Sequence, residues 1–237
     1  MPYSVEPMRL NDVAQVEVIE RQSFSSPWSR RAYEYDLTQN ALARYLVVRE
    51  QARDGEPAKP EGVPVPRWSW GQRASEPVWR FPRALVGAIA SWLGSRRRPS
   101  ETGAAAGLSG SAPPILGFAG MWLAVGEAHV VTIAVRPESR GHGLGELLLV
   151  SLIDLACQLE VATLYLEVRV SNVSAKRLYE KYGFVGGRLR KRYYSDNGED
   201  ALEMIADGIT TSQYQCRLQE LNQALTEKLA GPAYHES

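Results

Sequence analysis

Six residues, Arg140-Gly141-His142-Gly143-Leu144-Gly145, join an apolar stretch at Val130–Val135 to a segment with leucines at 144, 148, 152, 155 and 159. The apolar stretch suits a buried strand, and the leucines fall at the spacing of one helix face. Between them the glycines strip the turn of side-chain bulk, so its backbone N–H groups can converge on one anion. The helix that follows adds unpaired N–H groups and a positive dipole end. Strand, glycine turn and helix in this order demand a sheet with a helix laid on it. The turn suits a phosphate or diphosphate, and hence a nucleotide-like cofactor, although short glycine patterns also make plain tight turns. No Gly-Lys-Ser/Thr follows, and the dinucleotide fingerprint lacks its third glycine, since Glu146 stands there.

The flanking sequence extends this α/β pattern. Residues 2–50 read as strand, helix, strand, with Asp12 placed to cap a helix carrying Val13, Val16, Ile19 and Glu20. Pro27 breaks the chain, and a second helix is expected from about Ser29 to Gln39. Leu116–Val125 and His129–Val135 read as strands around Gly126-Glu127. Thr163–Val170 alternates, with Leu164, Leu166, Val168 and Val170 on one side and Tyr165, Glu167 and Arg169 on the other. Ser171 or Asn172 caps a short helix with the face Ala175, Leu178, Tyr179, Tyr182, and Gly183 ends it. Val185–Tyr194 and Asp200–Ile205 suit a hairpin around Asp196-Asn197-Gly198. Leu218, Leu221, Leu225 and Leu229 mark a C-terminal helical tail over 207–237. Hairpins mixed with strand–helix–strand units predict a mixed sheet with helices on both faces.

Residues 51–113 depart from this regularity. They hold eight of the 14 prolines, eight of the 20 glycines and four of the six tryptophans. A largely disordered insertion between two strands is expected, with Leu85–Leu93 and Arg96-Arg97-Arg98 as a segment that could touch a membrane surface or a protein partner through residues 85–98. The chain is formally neutral, with 27 basic and 27 acidic residues, so no global field recruits nucleic acid and direct nucleic-acid binding is not expected. Two cysteines provide no disulfide framework, and Cys157 reads as helix packing. No signal peptide is recognisable, and no apolar run approaches the roughly 20 residues of a membrane span. The reducing cytoplasm is the expected compartment, and no metal site is expected.

Within Leu164–Phe184, Glu167 lies mid-strand among apolar neighbours. A partly desolvated carboxylate there would have a raised pKa and could act as a base, or it could pair with Arg169 or another cation. Tyr179 could be inward-facing core, and Asn172 a simple cap.

Four segments join the glycine turn in a resemblance. They are Ser26-Pro-Trp-Ser29, Thr132–Pro137, Leu166-Glu-Val-Arg-Val-Ser-Asn172 with Leu178-Tyr-Glu180, and Arg192-Tyr-Tyr194 with Glu199-Asp-Ala201. Together with Arg140-x-x-Gly143-x-Gly145 they resemble the GNAT N-acetyltransferases, specifically the bacterial ribosomal-protein-alanine (RimI type) branch. The likeness covers about 2–50 and 114–206, which would form one discontinuous domain; the insertion and the tail lie outside it. It implies a GNAT-type α+β fold, a mostly antiparallel sheet with a splayed central strand pair. It implies acetyl-CoA held by Ile133, Ala134 and Val135 along the pantetheine arm, with Val135 N–H facing the thioester carbonyl. Arg140, Gly141, His142, Gly143, Leu144 and Gly145 would hold the pyrophosphate, and Asn172 the arm. Glu167 becomes the general base and Tyr179 the acid that protonates the departing thiolate. Trp28, Tyr193 and Tyr194 would wall the peptide groove, or else serve core and turn packing. Glu20 and Asp36 could meet a basic substrate residue.

The implied acceptor is a protein N-terminus, such as that of a ribosomal protein. An α-amine near pKa 8 is about 3.3 kcal/mol easier to deprotonate at neutral pH than a lysine near 10.4. A lysine, polyamine or small-molecule acceptor on the same fold is the second reading. An inert cofactor-binding scaffold that docks partners or membrane is the third, and retention of both Glu167 and Tyr179 argues against it.

Overall fold

The computed structural model describes residues 2–51 and 113–230. The expected insertion, its 85–98 segment and the last seven residues of the tail lie outside the described residues. The strands are β1 (Tyr3–Pro7), β2 (Ala43–Glu50), β3 (Ile115–Leu123), β4 (Glu127–Val135), β5 (Thr163–Arg169), β6 (Val185–Arg190) and β7 (Ala201–Asp207). The helices are α1 (Val13–Ser23), α2 (Arg30–Thr38), α3 (Leu144–Gln158), α4 (Val173–Lys181) and α5 (Ser212–Ala230). The described strands form one sheet in the order β1-β2-β3-β4-β5-β7-β6, every pair antiparallel except β4–β5.

That parallel pair is short. Only Glu127, Ala128 and His129 of β4 face Thr163, Leu164 and Tyr165 of β5. Immediately beyond, β4 carries a bulge: Gly120 faces Thr132 and Met121 faces Val130, leaving Val131 extra. An extra residue bends its strand and sharpens the twist. From Val130 onward the two strands part, and the splayed centre expected of the fold opens between them. Arg136 N–H bonds back to Leu116 O at 2.8 Å. Backbone direction alternates along a strand, so Ala134 also turns its amide toward β3, while Ile133 and Val135 turn theirs into the gap.

One face of the sheet is covered by α3, whose Leu144, Leu148, Leu152 and Leu155 are fully or almost fully buried. Leu164, Leu166 and Val168 of β5 belong to this core, which also takes Leu218, Leu225 and Leu229 of α5. Val170 is exposed instead, because β5 ends at Arg169. The opposite face is covered by α1 and α2 through Val13, Val16, Ile19 and Tyr33 on Tyr45, Val47 and Phe118. A Cβ on Gly120 would stand only 2.3 Å from the Tyr45 ring, too close for any side chain.

Two local expectations change. Asp12 does not cap α1: its carboxylate accepts from Arg9 N–H at 2.8 Å and pairs with buried Arg49. The β6 strand ends at Arg190 rather than at Tyr194, and residues 191–200 form the connection, with Gly198 at φ 70°.

Candidate active site

Glu167 projects from β5 on the same face as α1 and α2, because the alternating leucines and valine take the other. Its side chain is 4% exposed, and its Oε2 lies 2.5 Å from Nε2 of His129, itself 8% exposed. A carboxylate only accepts, so this ring nitrogen carries the proton. The ring is held flat against Tyr165, centroids 4.5 Å apart. Its other nitrogen, Nδ1, is buried and makes no hydrogen bond among the described residues. Arg190 places Nη1 at 3.1 Å from Glu167 Oε1 and Nη2 at 2.9 Å from Glu203 Oε2.

These contacts overturn the raised pKa expected of Glu167. Burial does push its carboxyl up, but the hydrogen bond and charge of His129 and the charge of Arg190 outweigh that and hold it below the ordinary 4.5. Its ion-pair partners are His129 and Arg190, not Arg169. Arg169 instead lies 2.7 Å from Asp196 and 3.1 Å from Glu199, and stacks 3.8 Å over the Tyr194 ring. It thereby staples the β6–β7 connection to β5. Tyr194 directs its hydroxyl at the Glu167 carbonyl, 3.5 Å away, and Tyr193 packs edge-on against Tyr194. Tyr194 also feels the charges of Glu167 and Tyr179, so the phenol of α4 belongs to the same neighbourhood. Burial pushes the Tyr179 phenol up to about 12.

On the far side stands Trp28, 5.6 Å from the Trp122 ring and 5.8 Å from Tyr33. The backbone N–H of Trp28 donates to Glu20, which also accepts from Tyr33 at 2.9 Å. Asp36 accepts from Tyr45 at 2.6 Å and from Trp122 at 2.8 Å. Both acids are buried and spend their oxygens inside the protein, so they frame the aromatic wall. The Ser25 hydroxyl donates to Asp196, tying the α1–α2 loop to the β6–β7 connection.

The glycine turn sits beyond the open end of the parted strands. Gly143 is the residue before α3, with φ 85°, and Gly141 has φ 81° with open space where a Cβ would point. Residues 140–142 are exposed, so the turn is accessible. The Arg140 side chain is partly occupied: Nε donates to Val135 O at 3.1 Å and Nη2 to Ser23 at 3.2 Å. Asn172 caps α4, its Oδ1 accepting from Ala175 N–H at 3.1 Å, which leaves its amide NH2 for a ligand. Among the described residues no group of three or more His, Cys, Asp or Glu could hold a metal.

His129, Arg190 and Trp122 escaped the sequence reading. One signal was present: His129 is one of three histidines and stands in a mostly apolar strand, where it is the last residue paired before the fork.

A model of the Acetyltransferase (GNAT) family matches residues 67–184. A Bacillus subtilis (strain 168) protein, provisionally named a ribosomal protein bS18-alanine N-acetyltransferase, is 32% identical over 201 residues, spanning 85% of this chain and 93% of that one. The chain belongs to the GNAT acetyltransferase family. GNAT acetyltransferases use acetyl-CoA, and this member is an N-acetyltransferase. The ribosomal protein bS18-alanine N-acetyltransferase of Escherichia coli (strain K12) is 45% identical over 89 residues, 37% of this chain and 60% of that protein. The GNAT sheet is also that of solved structures. The E. coli ribosomal-protein-S18-alanine N-acetyltransferase superposes with a TM-score of 0.56 at 23% identity, covering 87% of this chain and 94% of that one. The NatC complex bound to Gag peptide and CoA gives 0.55 at 19%, covering 87% and 99%. No described helix is long and apolar enough to cross a membrane.

Proposed function

We propose that this GNAT member transfers the acetyl group of acetyl-CoA directly to the α-amine of a protein N-terminus, the acceptor being a ribosomal protein in the cytoplasm. The observation that carries this reading is the buried Glu167–His129 pair at the fork of β4 and β5, roofed by Tyr193 and Tyr194. The Ile133 and Val135 amides line the gap where the pantetheine arm would lie, with Val135 N–H available to the developing oxyanion. Ala134 supports them from within the β3 ladder. The Arg140–Gly145 turn, including His142 and Leu144, would receive the diphosphate, and the Asn172 amide the arm.

The proton path follows from the charges. A carboxylate held below 4.5 is a poor acceptor from a free alkylammonium, so attack uses the fraction of α-amine already neutral, about a tenth at pH 7. Once nitrogen bonds to the acetyl carbon it turns cationic, and its two protons become far more acidic. Glu167 can then take one of them, directly or through a water. The Tyr179 phenol, protonated throughout the neutral range, faces the departing thiolate. The names of the Bacillus and Escherichia relatives support the acceptor, and the Ser25–Asp196 bond joins the loop that carries Trp28 to the connection that carries Tyr193 and Tyr194.

The deciding experiment offers the full chain acetyl-CoA with a peptide beginning Ala-Arg, with an internal-lysine peptide and with spermidine. Turnover of the first at least tenfold above the others is expected; preference for spermidine or lysine would replace this acceptor. For the turn, Gly143→Ala should weaken coenzyme A binding about tenfold by calorimetry. A φ of 85° is strained for any L side chain, and the new Cβ would stand 3.2 Å from Leu229. Unchanged affinity would remove Gly143 from the cofactor site.

A further inference from the structure

The geometry points to Lys228, on the C-terminal helix α5, as a cofactor-binding residue that supplies the cation for the diphosphate at the glycine turn; this rests on the acetyl-CoA reading above. The α5 helix runs along α3 in the opposite sense. Near its start Gln215 donates to Cys157 at the end of α3, and near its end Leu225 and Leu229 lie on Gly143. A Cβ on Gly143 would find Leu229 at 3.2 Å, Leu225 at 3.5 Å and Cε of Lys228 at 3.8 Å. The two leucines are buried, which fixes the helix end in place, whereas Lys228 is exposed. Its ammonium makes no ion pair or hydrogen bond among the described residues.

Charge balance at the turn makes this placement informative. A diphosphate brings two negative charges to a turn whose own arginine is directed elsewhere, Arg140 being bonded to Val135 O and Ser23. Arg136 is likewise spent on the Ile115 carbonyl and Glu138, and Lys181 on Glu146. The carbonyl end of α5 also points toward this region and is mildly repulsive to an anion. Lys228, in the last turn of that helix, offsets it and has its stem already seated on Gly143. The helix lies outside the 67–184 match, so family likeness does not assign this role.

Lys228→Met keeps the stem and removes the charge. By calorimetry, its dissociation constant for coenzyme A should rise about fivefold, and that of Lys228→Glu further, while Lys228→Arg stays near wild type. The penalty should persist with dephospho-coenzyme A, which keeps the diphosphate, and vanish in turnover of S-acetylpantetheine, which has no phosphate. Lys228→Met binding within twofold of wild type overturns the proposal. A penalty that disappears with dephospho-coenzyme A overturns the diphosphate assignment. If the wild-type chain binds no coenzyme A at all, the underlying acetyl-CoA reading fails instead.

Discussion

Glu167→Gln is expected to lower kcat/KM for an Ala-initiated peptide by about 100-fold, the usual scale of a positioned proton acceptor. The substitution is nearly isosteric, and an amide oxygen can still accept from His129, so the fold should persist. The loss is that of a negative charge and a proton acceptor at the fork. The pH dependence separates this role from others. Burial raises the Glu167 carboxyl, but His129 and Arg190 more than reverse that, so its folded pKa lies below the unfolded one. A depressed pKa contributes stability above the unfolded value, near 4.3, and loses it only as pH falls through the folded value. Between pH 6 and 9 Glu167 is therefore ionised throughout. The acid limb expected there belongs to the α-amine of the peptide, with a midpoint near 8. Glu167→Gln should scale the whole profile down without moving that midpoint. A variant that keeps the plateau and shifts the limb would show Glu167 titrating as a conventional base, and wild-type rates would remove it from the chemistry.

The correction at Glu167 shows where sequence reading stops. The glycine turn, the α3 leucine face and the β5 alternation are local patterns, and each reappears where spacing places it. The splayed centre came from family resemblance, and its physical cause, the bulge at Val131, has no signature in Thr132–Val135. The electrostatics of Glu167 depend on two partners distant in sequence. His129 comes from β4 through three residues of parallel pairing, and Arg190 from β6, which reaches Glu167 across β7. Arg169, two residues from Glu167 and on the same face, was the natural local guess, and Asp196 and Glu199 claim it instead. The C-terminal helix repeats the lesson: its leucine spacing was plain, but that Leu225 and Leu229 settle on Gly143 follows only from α5 folding back along α3.

Tyr179→Phe is expected to reduce kcat about 30-fold while leaving the melting temperature within a degree or two. The structural half rests on what the hydroxyl does. The ring packs against Phe184, centroids 5.7 Å apart, and phenylalanine retains that contact. Among the described residues the hydroxyl has no hydrogen-bond partner, so removing it orphans nothing. The catalytic half rests on relative acidity. A phenol near 12 and a thiol near 8.5 differ enough that complete proton transfer to the thiolate would be uphill by roughly 5 kcal/mol. On the proposed role, Tyr179 is expected to act chiefly by donating a hydrogen bond as charge gathers on sulfur, with the thiolate leaving before it is fully protonated. This sets the expected loss below that of Glu167→Gln. Because the phenol stays protonated below pH 9, the reduction should be uniform from pH 6 to 9. Single-turnover rates at saturating acetyl-CoA, read beside thermal melts, check both halves. Unchanged turnover with unchanged stability would make Tyr179 a core filler and leave the thiolate to depart unaided.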